Sequence, residues 1–321
     1  MLPSVLKRLL HVAILLVAVL TLNFLLIHIA PGDPVQTLAG DIGGMTDELR
    51  QELMQRFGLD KPLIVQLAIY LGRVLQGDLG YSYYFDASVA SLIGERLAAT
   101  LLLVVTAVAL AFSVGTLIGS LAARRPNGVL SQSVTVLMMV GYAAPVFWTG
   151  VLLIILFASI WPILPVSDMR EAGSDATGWA AALDVMRHMV LPTFSLACVY
   201  LAIYARLARS SMIETLSMDY VRTARAKGLS EPVVLYKHAL RNSVIPVVTI
   251  LGMQFGHAVA GAVLVETVFN WPGLGRLAYD SVLRRDYPTL LGLLFFSSLL
   301  VIVMNQLTDL LYRLIDPRIR T

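Results

Sequence analysis

The chain has 321 residues, 57% of them hydrophobic and only 14% charged, with a formal net charge of +3. Soluble domains carry about 25% charged residues, and several apolar runs here approach the ~20 residues a helix needs to cross a bilayer. An ordinary soluble fold is excluded. A small net charge with its bases gathered in particular segments points to orientation in a membrane and away from nucleic acid.

Six spans are expected, at 9–30, 97–121, 134–160, 189–207, 244–269 and 290–311. Lys7 and Arg8 precede the first run as in a signal peptide, but the run continues to Ala30, ends in Pro31-Gly32-Asp33-Pro34 and shows no small-residue cleavage site. It is read as a retained span. Segment 31–96 is mixed in charge and partly helical in pattern. Thr46 is expected to cap a helix through Glu48, Leu49, Leu53 and Phe57 that stops near Gly58. Lys61-Pro62 should start another, through Ile64, Leu67 and Leu71, ending near Gly77.

In the third span, with Gly141, Pro145 and Trp148, Pro145 is expected to make a kink. Residues 168–184 are polar and read as an external loop. The lone Cys198 rules out an intrachain disulfide and reads as a packing residue. Gly115 and Gly119 in the second span, and Gly252, Gly256 and Ala260 in the fifth, each line one helical face where another helix can pack closely. The bases flank alternate ends of the spans: Lys7 and Arg8, Arg124 and Arg125, Arg206 and Arg209, then Arg313, Arg318 and Arg320. That asymmetry puts these segments and both termini in the cytoplasm.

The most informative stretch is 219–246, DYVRTARAKGLSEPVVLYKHALRNSVIP. Its bases are Arg222, Arg225, Lys227, Lys237 and Arg241, against the acids Asp219 and Glu231. Gly228 is expected to end one helix and Ser230 to cap the next, with Glu231 and Pro232 in its first turn. The stretch therefore reads as helix, sharp turn and helix at a membrane surface. A basic loop of this kind can do no more than hold topology. However, Ala224, Ala226 and Gly228 are small enough to let a partner surface approach, and Ala224 lies four before Gly228 on the same helical face.

Catalytic constellations are missing from the sequence: there is no G-x-x-x-x-G-K-[ST], H-E-x-x-H or G-x-S-x-G pattern. Gly273-Leu274-Gly275 has neither a preceding strand nor a P-loop lysine, and His11, His28, His188, His238 and His257 lack ligand spacing. No catalytic, cofactor or metal site is expected in the chain, so any transport it supports must draw energy from a partner or an ion gradient. Polar groups within spans are functional candidates by default: here Asn23, Gln254, His257, Glu266, Asn305, Gln306 and Asp309. Glu266 and Asp309 lie near span ends and are expected to be hydrated or to cap a helix. Gln254 and His257 lie deeper and are candidates to line a pathway.

The order of residues at 223–228, Thr-Ala-Arg-Ala-Lys-Gly, resembles the EAA loop of ABC-importer permeases. Ala224 matches the second Ala of that pattern, Thr223 stands for the first and Arg222 replaces the Glu. Where the general pattern ends in Leu-Pro, this chain has Leu240-Arg241, with its proline later at Pro246. These departures resemble the dipeptide/oligopeptide/nickel branch, and so do APGDP at 30–34, FGLDKPL at 57–63, GDLGYS at 77–82, ARLARSS at 205–211, HALRN at 238–242, GAVLVETVFNWPGLG at 261–275, RDYP at 285–288 and DPRIR at 316–320.

The resemblance covers essentially the whole chain. It implies an all-α polytopic membrane protein with about six transmembrane helices in a MetI-like permease bundle. It also implies a cytoplasmic coupling helix in which Tyr220, Arg222, Thr223, Ala224, Arg225, Ala226, Lys227 and Gly228 meet an ATPase subunit. The implied partners are a second, related permease, two ATP-binding subunits that hold ATP and Mg, and an external substrate-binding protein. The implied organisation is a first span at 1–30, an external segment at 31–96 and a permease core at 97–321 with its coupling loop at 209–243. The implied cargo is a di- or oligopeptide, with nickel or a metallophore, glutathione and oligosaccharide as alternatives. An ion-coupled secondary transporter would instead call for inverted repeats and paired acids at the midplane, and neither is seen.

Overall fold

A computed structural model of the chain describes residues 2–29, 48, 51, 54–55 and 60–315, excepting side chains at 2–9, 11, 26–27, 252–253 and 307–315. The helix expected from Thr46 to Gly58, the motifs at 30–34 and 316–320, and the side chains of Lys7, Arg8, Asp309 and Arg313 lie outside these residues or fall mostly outside them. The described elements are α1 (Leu2–Ile29), α2 (Leu63–Leu75), a two-residue pair β1 (Tyr81–Ser82) and β2 (Ala87–Ser88), α3 (Val89–Ala122), α4 (Val129–Ala143), α5 (Val146–Ile154), α6 (Gly178–Leu216), α7 (Asp219–Ala226), α8 (Ile245–Val268), α9 (Leu274–Arg284) and α10 (Tyr287–Ile315). The fold is all-α apart from the short antiparallel pair.

Helices α3 and α6 and the stretch Tyr287–Gln306 of α10 are each long and apolar enough to cross a membrane alone. Two bent pairs, Val129–Ala143 with Val146–Ile160 and Ile245–Leu251 with Gln254–Val268, raise the number of candidate spans to five. The remaining expected span, the first, at 9–30, corresponds to α1, whose described apolar stretch is Val12–Leu25.

Two sequence expectations change here. The third span is not one kinked helix: α4 and α5 meet at 103°. Ala144 is extended (φ −75°, ψ 127°), as the residue before a proline must be, and Pro145 has no N–H to continue the ladder. The loop expected up to Asp184 ends earlier, because α6 begins at Gly178 and runs 39 residues. At 1.5 Å per residue that is about 58 Å, against a hydrocarbon core of about 30 Å, so α6 extends well beyond a bilayer.

The described residues fall into two compact units, one within 1–98 and 276–303, the other within 99–275 and 304–321. In the first, α1 and α2 join through a His28 Nε2–Gln66 Oε1 hydrogen bond of 3.1 Å and stacking of Phe24 on Tyr70. Helix α2 starts and stops where expected, after Pro62 and before Gly77, whose φ of +81° suits glycine. Ser82 donates to Asp286 Oδ2 at 2.5 Å, and Thr289 Oγ1 donates to the same oxygen at 2.6 Å. Asp286 thus stands at the N-terminus of α10 and ties the GDLGYS and RDYP motifs together in a buried polar cluster.

In the second unit the core is formed by α3, α6 and α8, centred on Leu103, Ala107, Leu196, Tyr204, Ala258, Ala262, Val265 and Phe269. Gly115 and Gly119 do what small residues in spans do: a Cβ at Gly115 would lie 2.9 Å from the Leu201 carbonyl, and one at Gly119 would overlap that of Ala205. On α8 the packed face is Phe255, Ala258, Ala262 and Val265, while Ala260, expected on a packed face, is exposed.

Glu266 also departs from expectation. It is fully buried, accepts hydrogen bonds from Thr100 Oγ1 and from the Gly275 N–H, both at 2.7 Å, and so caps the start of α9. Thr100 in turn accepts the Leu274 N–H at 2.7 Å, and the indole of Trp271 donates to the Ala99 carbonyl at 2.9 Å. The capping half of the reading for Glu266 holds and the hydration half does not. A Cβ at Gly273 would overlap the Glu266 carboxyl group. Gly273→Ala should therefore lower stability by about 1–3 kcal/mol, seen as a lower melting temperature of the solubilised chain. Gly94→Ala, where a Cβ meets open space, should leave the melting temperature unchanged.

Candidate functional site

Helix α6 ends at Leu216 with the Ser217 and Met218 N–H groups bonded to Glu214 and Thr215 carbonyls, both at 3.1 Å. The chain then makes α7, turns at Gly228 and returns through 231–243. Gly228 has φ +78° and terminates α7 with two bonds: its own N–H to the Arg225 carbonyl at 2.9 Å and the Leu229 N–H to that of Ala224 at 3.4 Å. Ser230 occupies the cap position of the return segment with extended backbone, and Pro232 follows in the first turn, but the Ser230 hydroxyl makes no capping bond. Arg225 bonds Glu231 across the turn instead, Nε to Oε1 at 2.8 Å. The return segment then widens into π-helical turns over Val234–Ala239, a geometry frequent at functional sites.

Three layers of contact make this hairpin one body. Val221 and Ala224 on α7 pack on Val234 and Leu216. Leu235 and Ala239 pack on Met212 of α6 and Ala123 just past α3. The Asn242 amide donates to the Tyr220 hydroxyl at 2.8 Å, joining the DY and HALRN motifs. The Arg225–Glu231 pair is half exposed and contributes at most ~1 kcal/mol, so the apolar layers carry most of the stabilisation.

The geometry corrects one part of the sequence reading. Ala224 is only 6% exposed because it faces the return segment of its own chain. Its small size lets the two arms of the hairpin approach, and the open face of α7 consists of Tyr220, Arg222, Thr223, Ala226 and Lys227. Gly228 is exposed, and a Cβ added to it would meet open space, so its role is conformational: φ > 0 suits it and strains other residues.

Gln254 and His257 lie one turn apart on α8, past the bend between Leu251 and Gln254. Gln254 is half-buried and His257 exposed on the surface of this chain. Asn23 is buried with its amide nitrogen unpartnered among the described residues, whereas Asn305 and Gln306 are exposed. His188 bonds the Asp184 carbonyl at 2.9 Å on its own helix. Among the described residues no group of His, Cys, Asp and Glu has metal-binding geometry.

Burial of Ala224 makes a specific prediction. Ala224→Asp places an unpaired carboxylate in the Val221–Val234 contact, at a cost of about 3 kcal/mol. Amides of 219–243 in the purified chain should then exchange hydrogen at least tenfold faster, while Arg222→Ala, at an exposed ion pair with Asp219, should leave exchange unchanged. Equal exchange in Ala224→Asp and the parent would refute the packing assigned to the hairpin.

The model of the family described as binding-protein-dependent transport system inner membrane component matches residues 115–321, and that of the corresponding N-terminal family matches residues 1–104. The chain is 40% identical to the dipeptide transport system permease protein DppB of Escherichia coli (strain K12), covering 100% of this chain and 99% of that protein. It is 36% identical to the oligopeptide transport system permease protein AppB of Bacillus subtilis (strain 168), covering 98% of each. A chain of the inward-facing MetNI methionine ABC transporter shares the fold, with a TM-score of 0.57 at 16% identity over 71% of this chain and 97% of that one. The chain therefore belongs to the binding-protein-dependent transport system inner membrane components, the multi-pass permease subunits of ABC importers.

Proposed function

We propose that this subunit forms, with a second related permease, the route by which di- or oligopeptides delivered by an external binding protein enter the cell. The observation that carries the cargo class is its end-to-end similarity to permeases named for dipeptide and oligopeptide transport. ATP and Mg sit on two partner ATPase subunits, and this chain is non-catalytic. Both termini and the hairpin face the cytoplasm, residues 31–96 lie outside, and 97–321 form the permease core with its coupling loop at 209–243.

In this reading the hairpin carries the motion of the ATPases to the spans. The open face of α7, with Tyr220, Arg222, Thr223, Ala226 and Lys227, enters an ATPase groove. Ala224 and Arg225 hold the hairpin to its return segment, and Gly228 supplies the turn. Because Leu235 and Ala239 rest on Met212 and Ala123, a push on α7 reaches the ends of α6 and α3 without being absorbed in a soft loop. Packed elements of this kind switch between discrete arrangements. Gln254 and His257 border the route, because an amide or imidazole on the outer face of a span calls for water or a protein neighbour.

Two experiments test this. Ala226→Arg and Thr223→Arg add bulk to the open face of α7 without touching its packed face. In reconstituted complex they should lower ATPase co-purification and dipeptide uptake by about tenfold or more, a loss of ~1.4 kcal/mol in docking, at an unchanged melting temperature of the isolated chain. Full uptake in both variants would confine the hairpin to setting topology. Gln254→Leu and His257→Phe should lower uptake with assembly intact; unchanged uptake would assign both side chains to packing.

A further inference from the structure

Two cavities open where α3 ends beside the hairpin. One, of 220 Å³, is an apolar groove between α3, Met212 and the return segment at Leu235 and Leu240. The other, of 760 Å³, is bordered by Arg124, Arg125 and Arg225. Leu121, Arg124 and Leu235 line both, so the groove and the basic mouth adjoin along these three side chains.

Down the groove wall Thr116, Ser120 and Arg124 follow at intervals of four, on one face of α3 and its continuation. The hydroxyls of Thr116 and Ser120 are buried and have no hydrogen-bond partner among the described residues; each residue is 7% exposed. Arg225 is held by Glu231, but Arg124 and Arg125 are exposed and form no ion pair among the described residues. The site thus offers, in order, an apolar slot, two buried donors and two uncommitted guanidinium groups, over about 12 Å of helix. A free anion fits only the mouth. An apolar helix fits only the slot, and leaves the hydroxyls and arginines unanswered.

We infer that this groove binds one anionic phospholipid, with an acyl chain in the slot, ester carbonyls on Thr116 and Ser120, and the phosphate on Arg124 and Arg125. The inference rests on the reading that this end of α3 lies at the cytoplasmic membrane face, where anionic headgroups meet basic segments. A lipid seated there touches both α3 and Leu235 of the return segment, and so braces the hairpin against the span it must move.

The test needs no ATPase, binding protein or cargo, so its failure is separable from failure of the transport reading. The purified full chain is equilibrated with mixed micelles of equal phosphatidylglycerol and phosphatidylcholine, and retained lipid is counted by native mass spectrometry. Phosphatidylglycerol should be retained in excess. Arg124→Gln and Arg125→Gln should each lower its retention about fivefold, the equivalent of ~1 kcal/mol per arginine, with phosphatidylcholine unaffected. Lys237→Gln, a loss of equal charge elsewhere on the hairpin, should change nothing. Equal retention of the two lipids, an equal loss in Lys237→Gln, or full displacement by millimolar inorganic phosphate would each overturn the proposal.

Discussion

Hydrocarbon cannot satisfy a free backbone N–H or C=O, and the arrangement of this chain depends on how it handles the places where its helices stop. At the α8–α9 junction the orphan N–H groups of Leu274 and Gly275 go to Thr100 and the buried Glu266, and Trp271 closes the corner onto Ala99. Asp286 answers the same need at the start of α10. At Gly228 the carbonyls of Ala224 and Arg225 are taken by the next two turn residues. Each break is closed from within the chain, so the polar groups it frees stay bonded.

The coupling role proposed for the hairpin rests on how firmly its own break is closed. A loop that only held topology would need bases and solvent. This one has a buried apolar seam from Leu216 through Val221 and Ala224 to Val234, and a second from Met212 and Ala123 to Leu235 and Ala239. The seams leave one face of α7 open while locking the other to the end of a 39-residue helix. On the proposed coupling, a partner that moves the open face moves α6. The close approach of α3 to α6 at Gly115 and Gly119 carries the displacement to a second span, and a bulkier side chain at either glycine would separate the two helices.

Much of this was legible in the residues. Helix ends near Gly77 and at Gly228 follow from glycine's access to positive φ, and the α3–α6 contact from two glycines four apart. The family emerged from residue order over the whole length. What could not be read was direction in space. An alanine shows that something comes close to Ala224 and does not show whether that is a partner or the chain's own return arm. A proline predicts interruption at Pro145 and not an angle of 103°. Glu266 reads in sequence as a hydrated or capping end group, and its burial stays hidden because its partners, Thr100 and Gly275, come from a distant helix and from beyond a tight corner. The pairing of Tyr220 with Asn242 is hidden for the same reason: each is a motif residue, and nothing in sequence joins the motifs.

The central claim is that the hairpin and the end of α6 move as one body. Spin labels at Ser230 and Ser210, both exposed and both off the open face of α7, in a Cys198→Ala background, report it directly by pulsed distance measurement in the reconstituted transporter. A single narrow distance is expected, the same with and without ATP, while ATP changes distances from Ser230 to the ATPase subunits. A distance between Ser230 and Ser210 that broadens or shifts with ATP would show that the hairpin yields where it must push.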